Sequence, residues 1–354
     1  MDPSRFHAVT DRYVGLRVAV LGDFCLDRYL EIDPARQETS LETGLPVLNV
    51  IAVRPQPGAA GTVVNNLAAL SVGTIYPVGF AGEDGEGFEL WQALERLPGV
   101  RMHHVLRTAQ RRTFTYCKPL VVAPGRPPVE LNRLDLKNWT PTPVEVQDLL
   151  IQRLLRAAAA ADTLIILEQA DAPGTGVIAP KVLEAIRDLA GARPDLPILA
   201  DSRRGLRGFP PIMFKMNVSE LFALTGEPGD LALDKLKPLV AALASKNGRS
   251  VFVTLAYRGM IGATAAGVVE HVPALPLRGE IDIVGAGDAV SANLAVALAA
   301  GASLREALEL ANAAASVVIH QLGTTGAASI PELQSRLAPN CSESRLDRFP
   351  RLSR

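Results

Sequence analysis

The residues best suited to chemistry stand together at Asp282-Ile283-Val284-Gly285-Ala286-Gly287-Asp288, just ahead of an apolar, Ala-rich stretch. Small residues before a helix leave main-chain N–H groups unpaired and facing outward, and the helix N-terminus adds partial positive charge. Gly285 and Gly287 carry no side chain to obstruct an approaching anion, so the segment reads as a phosphate cradle. Asp288 at its rim is a poor choice for anion binding alone. A carboxylate there can accept the proton of a hydroxyl that attacks a phosphoryl group. A plain glycine turn with a helix-capping acid would use the same residues, and short glycine motifs recur by chance. Val290 stands where a dinucleotide fingerprint needs its last glycine, and no G-x-x-x-x-G-K-[ST] loop occurs.

Other groups change that weighting. Gly22-Asp23, with Asp27 four residues on, follows an apolar run, which sets two acids at a strand's carboxyl end where they can orient sugar hydroxyls. Pro57-Gly58-Ala59-Ala60-Gly61 precedes a helical pattern containing Asn66, and Gly82-Glu83-Asp84 leads to Gly87. Asn217-Val218-Ser219-Glu220 follows a short apolar segment, and Val253-Thr254-Leu255 runs into Gly259. Asp201-Ser202-Arg203-Arg204 sets two cations after a strand-end acid, where they could face nucleotide phosphates. Ordinary structure competes for several of these. Glu220 suits a first helical turn, where the dipole stabilises an acid by a few tenths to about 1 kcal/mol. Asp27 would pass as a solvated turn residue, and Lys118 and Arg133 as surface charges. His103 and His104 lack a ligand-spaced partner and are expected in an exposed strand or loop.

These groups need a scaffold. Apolar runs at 17–21, 163–167, 197–200 and 251–255 read as strands buried on both faces, the habit of a parallel sheet. Helical patterns occupy 144–161, 180–190, 231–245, 291–300 and 304–319, and the alternation implies a layered α/β fold. Stretches 29–53 and 113–134 break the rhythm with β-branched, Pro and Gly residues. Such insertions predict a small sheet, placed as a lid over the strands' carboxyl ends. Residues 338–354 form a polar tail expected to be loosely held.

Composition sets the outer bounds. The 354 residues are 48% apolar and 21% charged, which excludes a disordered chain. With 36 basic against 37 acidic residues and 5% aromatics, nothing suggests a nucleic-acid-coating surface. The three cysteines are dispersed with no C-x-x-C pair, so no disulfide framework or zinc knuckle is expected. No segment reads as a membrane span, and residues 1–13 lack a signal peptide's apolar run, so a cytoplasmic location is expected.

Taken in order, these segments resemble the PfkB/ribokinase family of carbohydrate kinases. Its signature Asp-Thr-Thr-Gly-Ala-Gly-Asp is matched at 282–288, with Ile283 and Val284 in place of the two Thr residues. The likeness runs from about residue 16 to 333. Gly22-Asp23-Phe24-Cys25-Leu26-Asp27-Arg28-Tyr29, Ser40-Leu41-Glu42-Thr43-Gly44-Leu45-Pro46-Val47, residues 311–318 and Leu322-Gly323-Thr324 are most similar to the heptose-7-phosphate kinase branch, the kinase half of ADP-heptose synthases. The resemblance implies a ribokinase-like three-layer α/β/α domain over 1–337, with a mostly parallel central sheet and a discontinuous β-lid. It implies Asp288 as catalytic base, with Gly285, Ala286 and Gly287 as the anion hole. Asn217 and Glu220 would act through water on Mg²⁺ and the nucleotide phosphates. Thr254, Gly259 and Asn312 would border ATP. Asp23, Asp27 and the turn at Gly58, with Thr62, would hold the sugar. Lys118 and Arg133 would meet a phosphate already on the acceptor. Asp282 would join a monovalent-cation site for K⁺, if this member has one.

Departures fall on one side of the site. Family members carry Gly-Gly at the sugar-side turn and Asn four residues after its first Gly, where this chain has Ala59 and Thr62. Glu168-Gln169-Ala170-Asp171-Ala172-Pro173-Gly174 replaces the heptose kinases' Asp-Tyr-x-Lys-Gly run. Phosphate-side motifs are kept while acceptor-side motifs drift. The expected activity is ATP-dependent phosphorylation of a sugar or sugar-phosphate hydroxyl, with a heptose-phosphate-like acceptor favoured. A non-catalytic sugar- or nucleotide-binding protein, or a kinase for a free sugar or nucleoside, are the alternatives. Exposed lid edges suit pairing between subunits, so a homodimer through the lid is expected.

Overall fold

Strands without polar alternation need cover on both faces, and here they have it. The computed structural model describes residues 1–227, 229 and 231–337, so the tail assigned to 338–354 lies outside the described residues. From edge to edge the main sheet runs β16 (Val269–Val272), β15 (Met260–Ala263), β14 (Val251–Thr254), β13 (Met213–Asn217), β12 (Ile198–Ser202), β11 (Thr163–Glu168), β1 (Arg17–Gly22), β6 (Thr74–Gly82) and β7 (Val105–Thr108). Pairing is parallel from β7 through β14, and β15 and β16 add an antiparallel edge. One face is covered by α1 (Pro3–Thr10), α2 (Ala60–Ala69), α8 (Ala286–Ala299), α9 (Leu304–Val318) and α10 (Ile330–Leu337). The other carries α4 (Val144–Ala160), α5 (Pro180–Ala192), α6 (Val218–Thr225) and α7 (Leu233–Asn247). Helix α3 (Gly85–Glu95) packs against both the sheet and the lid.

Side-chain size explains the central helix. From Ala289 to Ala297 α8 is buried all round, as a helix apolar on every face must be. Its Ala and Ser side chains let α2 and α9 pack closely against it. The helix starts at Ala286 rather than at the expected 291, so Asp288 belongs to its first turn. A second difference concerns the paired histidines. His104 is buried in a short turn (Met102–His104), edge-on to Tyr76, and only His103 is exposed. Burial lowers the His104 pKa to about 4, so it is a neutral packing residue.

The lid is a sheet in the order β10 (Leu134–Leu136), β8 (Phe114–Val121), β2 (Phe24–Ile32), β5 (Val50–Ala59), with β9 (Val129–Glu130) paired to β8. It starts at Phe24 and ends at Leu136, wider than the expected 29–53 and 113–134. Strands β3 (Glu38–Thr39) and β4 (Pro46–Val47) form a small ribbon within it. Asp23 alone separates β1 from β2, and β5 passes into α2 with no residue between. The Ala60 N–H donates to the Asp23 carbonyl at 3.1 Å, so the β2–β5 half of the lid leaves and rejoins the core at one joint, while β8–β10 join it through residues 109–113 and 137–143.

Ala59 sits in that joint at φ 53°, ψ −117°, a conformation that suits glycine. Such strain costs about 1–3 kcal/mol. Glycine would relieve it at an entropic cost of roughly 0.5–1 kcal/mol. Ala59→Gly is therefore expected to raise Tm by about 1–3 °C in a thermal melt. A lower Tm would show that the methyl packs well enough to outweigh the strain.

Candidate active site

Strand β1 lies between β11 and β6, so the chain leaves it toward opposite sides, and a crevice opens at the strands' carboxyl ends. Glu168, Ser202, Asn217 and Thr254 end β11, β12, β13 and β14 around it. The N-terminus of α8 enters the same crevice through Gly285. That residue caps the helix at φ 82°, and a Cβ there would come within 3.0 Å of Thr325 Cγ2. Among the described residues no protein group accepts from the amides of Gly285, Gly287 or Asp288. The Ala286 amide is partly taken, donating to the Ile283 carbonyl at 3.3 Å. Three free amides at a helix N-terminus make an anion seat.

Beside them Asp288 is half-buried. Its desolvation first, then the charge of Asp201 and more weakly that of Asp27, push its carboxyl up to about 7 against the pull of Lys215. Lys215 is buried on β13 with its Nζ 2.6 Å from Asp201 Oδ2, and Ser291 Oγ donates to the same oxygen at 3.0 Å. A Cβ on Gly287 would lie 3.0 Å from that Nζ, so the ammonium faces the underside of the first turn of α8. Sequence reasoning missed Lys215 and Ser291. The available signals were the strand period, which sets Lys215 on the face of Asn217, and the helical step from Gly287 to Ser291. Asp201 was noticed for another reason, and the cations after it turn elsewhere. Arg203 meets Asp171 at 3.2 Å and Arg204 meets Glu168 at 2.9 Å.

The acceptor side is built from the lid. Asp27 is a buried strand residue, not a solvated turn, and its Oδ2 accepts from Thr325 Oγ1 at 2.8 Å and meets Lys118 Nζ at 3.2 Å. Lys118 comes from neighbouring β8 and is equally buried, so it is no surface charge. Gly58 leaves room for this pair, since a Cβ would approach Asp27 Cγ to 2.9 Å. Arg133 is exposed and paired with Asp135 through two bonds of 2.7 and 2.9 Å. Thr325 and its neighbour Gln56 were not singled out from sequence.

Two expected sugar ligands face elsewhere. The Asp23 carboxylate is 1% exposed and accepts N–H bonds from Gln169 (2.8 Å), Ala170 (2.8 Å) and Val177 (2.6 Å). It organises the loop after β11 instead of meeting an acceptor. Thr62 is also 1% exposed, with its hydroxyl toward the Pro57 carbonyl and its methyl toward Gly285. Its role is to pack α2 beneath the cradle.

On the nucleotide side, Asn217 and Glu220 cap α6 reciprocally. Asn217 Oδ1 accepts from the Glu220 N–H, and Glu220 Oε2 accepts from the Asn217 N–H. This is the first-turn acid expected on structural grounds, yet Glu220 Oε1 has no protein partner among the described residues. Burial raises the Glu220 pKa. Among the described residues no group of three or more His, Cys, Asp and Glu could cage a metal. One free carboxylate oxygen fits Mg²⁺, which keeps its waters and takes substrate phosphates. Thr254 is the register partner of Asn217, and Gly259 closes the turn that follows β14. Asn312 is buried with its Nδ2 donating to the Pro273 carbonyl at 2.8 Å, so it fixes the loop after β16. Asp282 Oδ1 accepts from the Val284 N–H at 3.0 Å.

Residues 20–331 match the family model of pfkB family carbohydrate kinases. The Bifunctional protein HldE of Azorhizobium caulinodans is 34% identical over 311 residues, 87% of this chain and 61% of that protein. Its namesake in Granulibacter bethesdensis is 30% identical over 333 residues, 91% of this chain and 64% of that protein. The chain thus spans about three-fifths of the length of the curated relatives it matches. Phosphofructokinase-2 from Escherichia coli, solved with fructose-6-phosphate and with potassium, superposes with a TM-score of 0.66 at 20% identity, over 91% of this chain and 98% of that one. Among the described residues no helix is long and apolar enough to cross a membrane.

Proposed function

The chain belongs to the pfkB family of carbohydrate kinases, and from that premise we propose that it transfers the γ-phosphoryl group of ATP to a hydroxyl of a sugar phosphate, a heptose phosphate by preference. The observation that carries this reading is the free amides of Gly285, Gly287 and Asp288 beside a carboxyl poised near neutrality.

Each part has a stated task. Asp288 takes the proton of the acceptor hydroxyl as the bond to phosphorus forms, and a base near the working pH does this best. The α8 amides and the Lys215 ammonium stabilise charge that develops on the transferred group. Glu220 Oε1 and Asn217 would hold MgATP through water, and its Mg²⁺ would neutralise charge on the phosphates. Thr254, Gly259 and the loop fixed by Asn312 border the nucleotide. Asp27, held by Lys118 and Thr325, orients the acceptor hydroxyl, and the turn at Gly58 gives it space. Asp282, whose other carboxylate oxygen takes no protein bond among the described residues, would help hold K⁺ if this member binds one. Residues 1–337 act as one kinase domain. Edge strand β5 exposes Val50, Ile51 and Val53, and a second subunit is placed against it.

The test is ADP release measured over a panel of sugar phosphates, free sugars and nucleosides. A heptose 7-phosphate is expected to give the highest kcat/KM. A free sugar or a nucleoside in first place would overturn the acceptor reading.

A further inference from the structure

A cavity between lid and core is lined by Cys25, Tyr116, Lys137, Trp139, Gln169 and Asp171. Cys25 and Asp27 share one face of β2, so this cavity lies beside the Asp27 end of the acceptor site. At its rim three cations share two carboxylates. Arg133 binds Asp135; Lys137 Nζ lies 2.8 Å from Asp171 Oδ2 and 3.5 Å from Asp135 Oδ2; Arg203 Nε lies 3.2 Å from Asp171 Oδ1. Glu130 also acts on Arg133, and Asp23 lines the cavity, so the cations are fully matched by acids while the acceptor is away. Nearby pairs are balanced, Lys118 with Asp27 and Arg204 with Glu168, and Asp23 is satisfied by its three amides. Arg133 and Lys137 also lie over the Tyr116 ring, at 4.8 and 5.9 Å from its centroid.

Position matters as much as sign. Arg133 and Asp135 come from the lid and Lys137 directly follows its last strand, whereas Asp171 and Arg203 follow core strands β11 and β12. Asp171 bridges the two bodies with one oxygen to each cation. A carboxylate in that place holds apart two groups that together would bind a dianion better.

We propose that Lys137 and Arg203 are the seat for a phosphate monoester carried by the acceptor at the end remote from its reacting hydroxyl, with Asp171 occupying the place between them until the acceptor arrives. This rests on the kinase reading and adds to it the residues that select a phosphorylated acceptor.

Matched acceptors test it: sedoheptulose 7-phosphate against sedoheptulose, and ribose 5-phosphate against ribose. Lys137→Met and Arg203→Met are each expected to lower kcat/KM for the phosphorylated member about 10–100-fold, the scale of losing one charge-assisted hydrogen bond. The free sugar and the KM for ATP should change less than about threefold, a margin well under the tenfold that 1.4 kcal/mol brings. Asp171→Asn should tighten the phosphorylated member. All three side chains are partly exposed, so folding is not at stake. Equal losses on both members of a pair, or weaker binding in Asp171→Asn, would overturn the proposal. Calorimetry with sedoheptulose 7-phosphate alone separates the two readings. If no acceptor releases ADP, the kinase reading fails, but phosphate-dependent binding that Lys137→Met weakens still supports the seat. Absent binding, or binding indifferent to Lys137→Met, overturns the seat itself.

Discussion

Asn in place of Asp288 is expected to cut kcat by about 10²–10⁴-fold while ATP affinity stays close to that of the native chain. The substitution keeps shape and leaves the α8 amides free, so the nucleotide still docks. What it removes is the proton acceptor. The pH profile gives a second reading of the same group. A carboxyl raised to about 7 by desolvation and by the charges of Asp201 and Asp27 is protonated, and idle as a base, at lower pH. The native kcat/KM should therefore climb as pH rises toward about 7 and level off above it. The residual activity of Asp288→Asn should lack that limb. Steady-state rates between pH 5 and 8.5 decide the matter. A native profile flat across that range would put the carboxyl near the ordinary value of about 3.9 and remove the tuned base.

Asp23→Ala is expected to be the most damaging substitution for stability. It strands the N–H groups of Gln169, Ala170 and Val177, all of which point at the buried carboxylate. An unsatisfied buried donor costs about 1–3 kcal/mol. With some relaxation the total loss should be roughly 3–5 kcal/mol, read as a lower midpoint in urea unfolding. Asp23→Asn keeps one acceptor oxygen and should fall between the two. A loss below about 1 kcal/mol for Asp23→Ala would mean that water takes over the carboxylate's bonds.

The layered fold and the phosphate cradle were legible in the residues because their signals are local. Apolar runs of strand length, an Ala-rich helix and a Gly-x-Gly-Asp turn each state their structure within a few positions. Asp27 and Lys118 could still pass for surface groups in the sequence, because their burial depends on pairing between β2 and β8, far apart in the chain. Lys215 escaped notice for a related reason. A lysine inside an apolar run looks like an interruption until Asp201, from another strand, arrives to neutralise it. His104 went the same way, since only Tyr76 across the turn gives it cover. Asp23 was seen as an acid at a strand end, but nothing near it in sequence says that three amides will claim both its oxygens.

The joint at Asp23 and Ala60 has a mechanical consequence. Straps of loose chain would let the lid swing without disturbing anything beneath it, and the β2–β5 half has no such slack. When the small sheet tilts, the torque passes straight into the start of α2, and α2 leans on α8. The two ends of the cleft are geared together, so a shift at one bank turns the other.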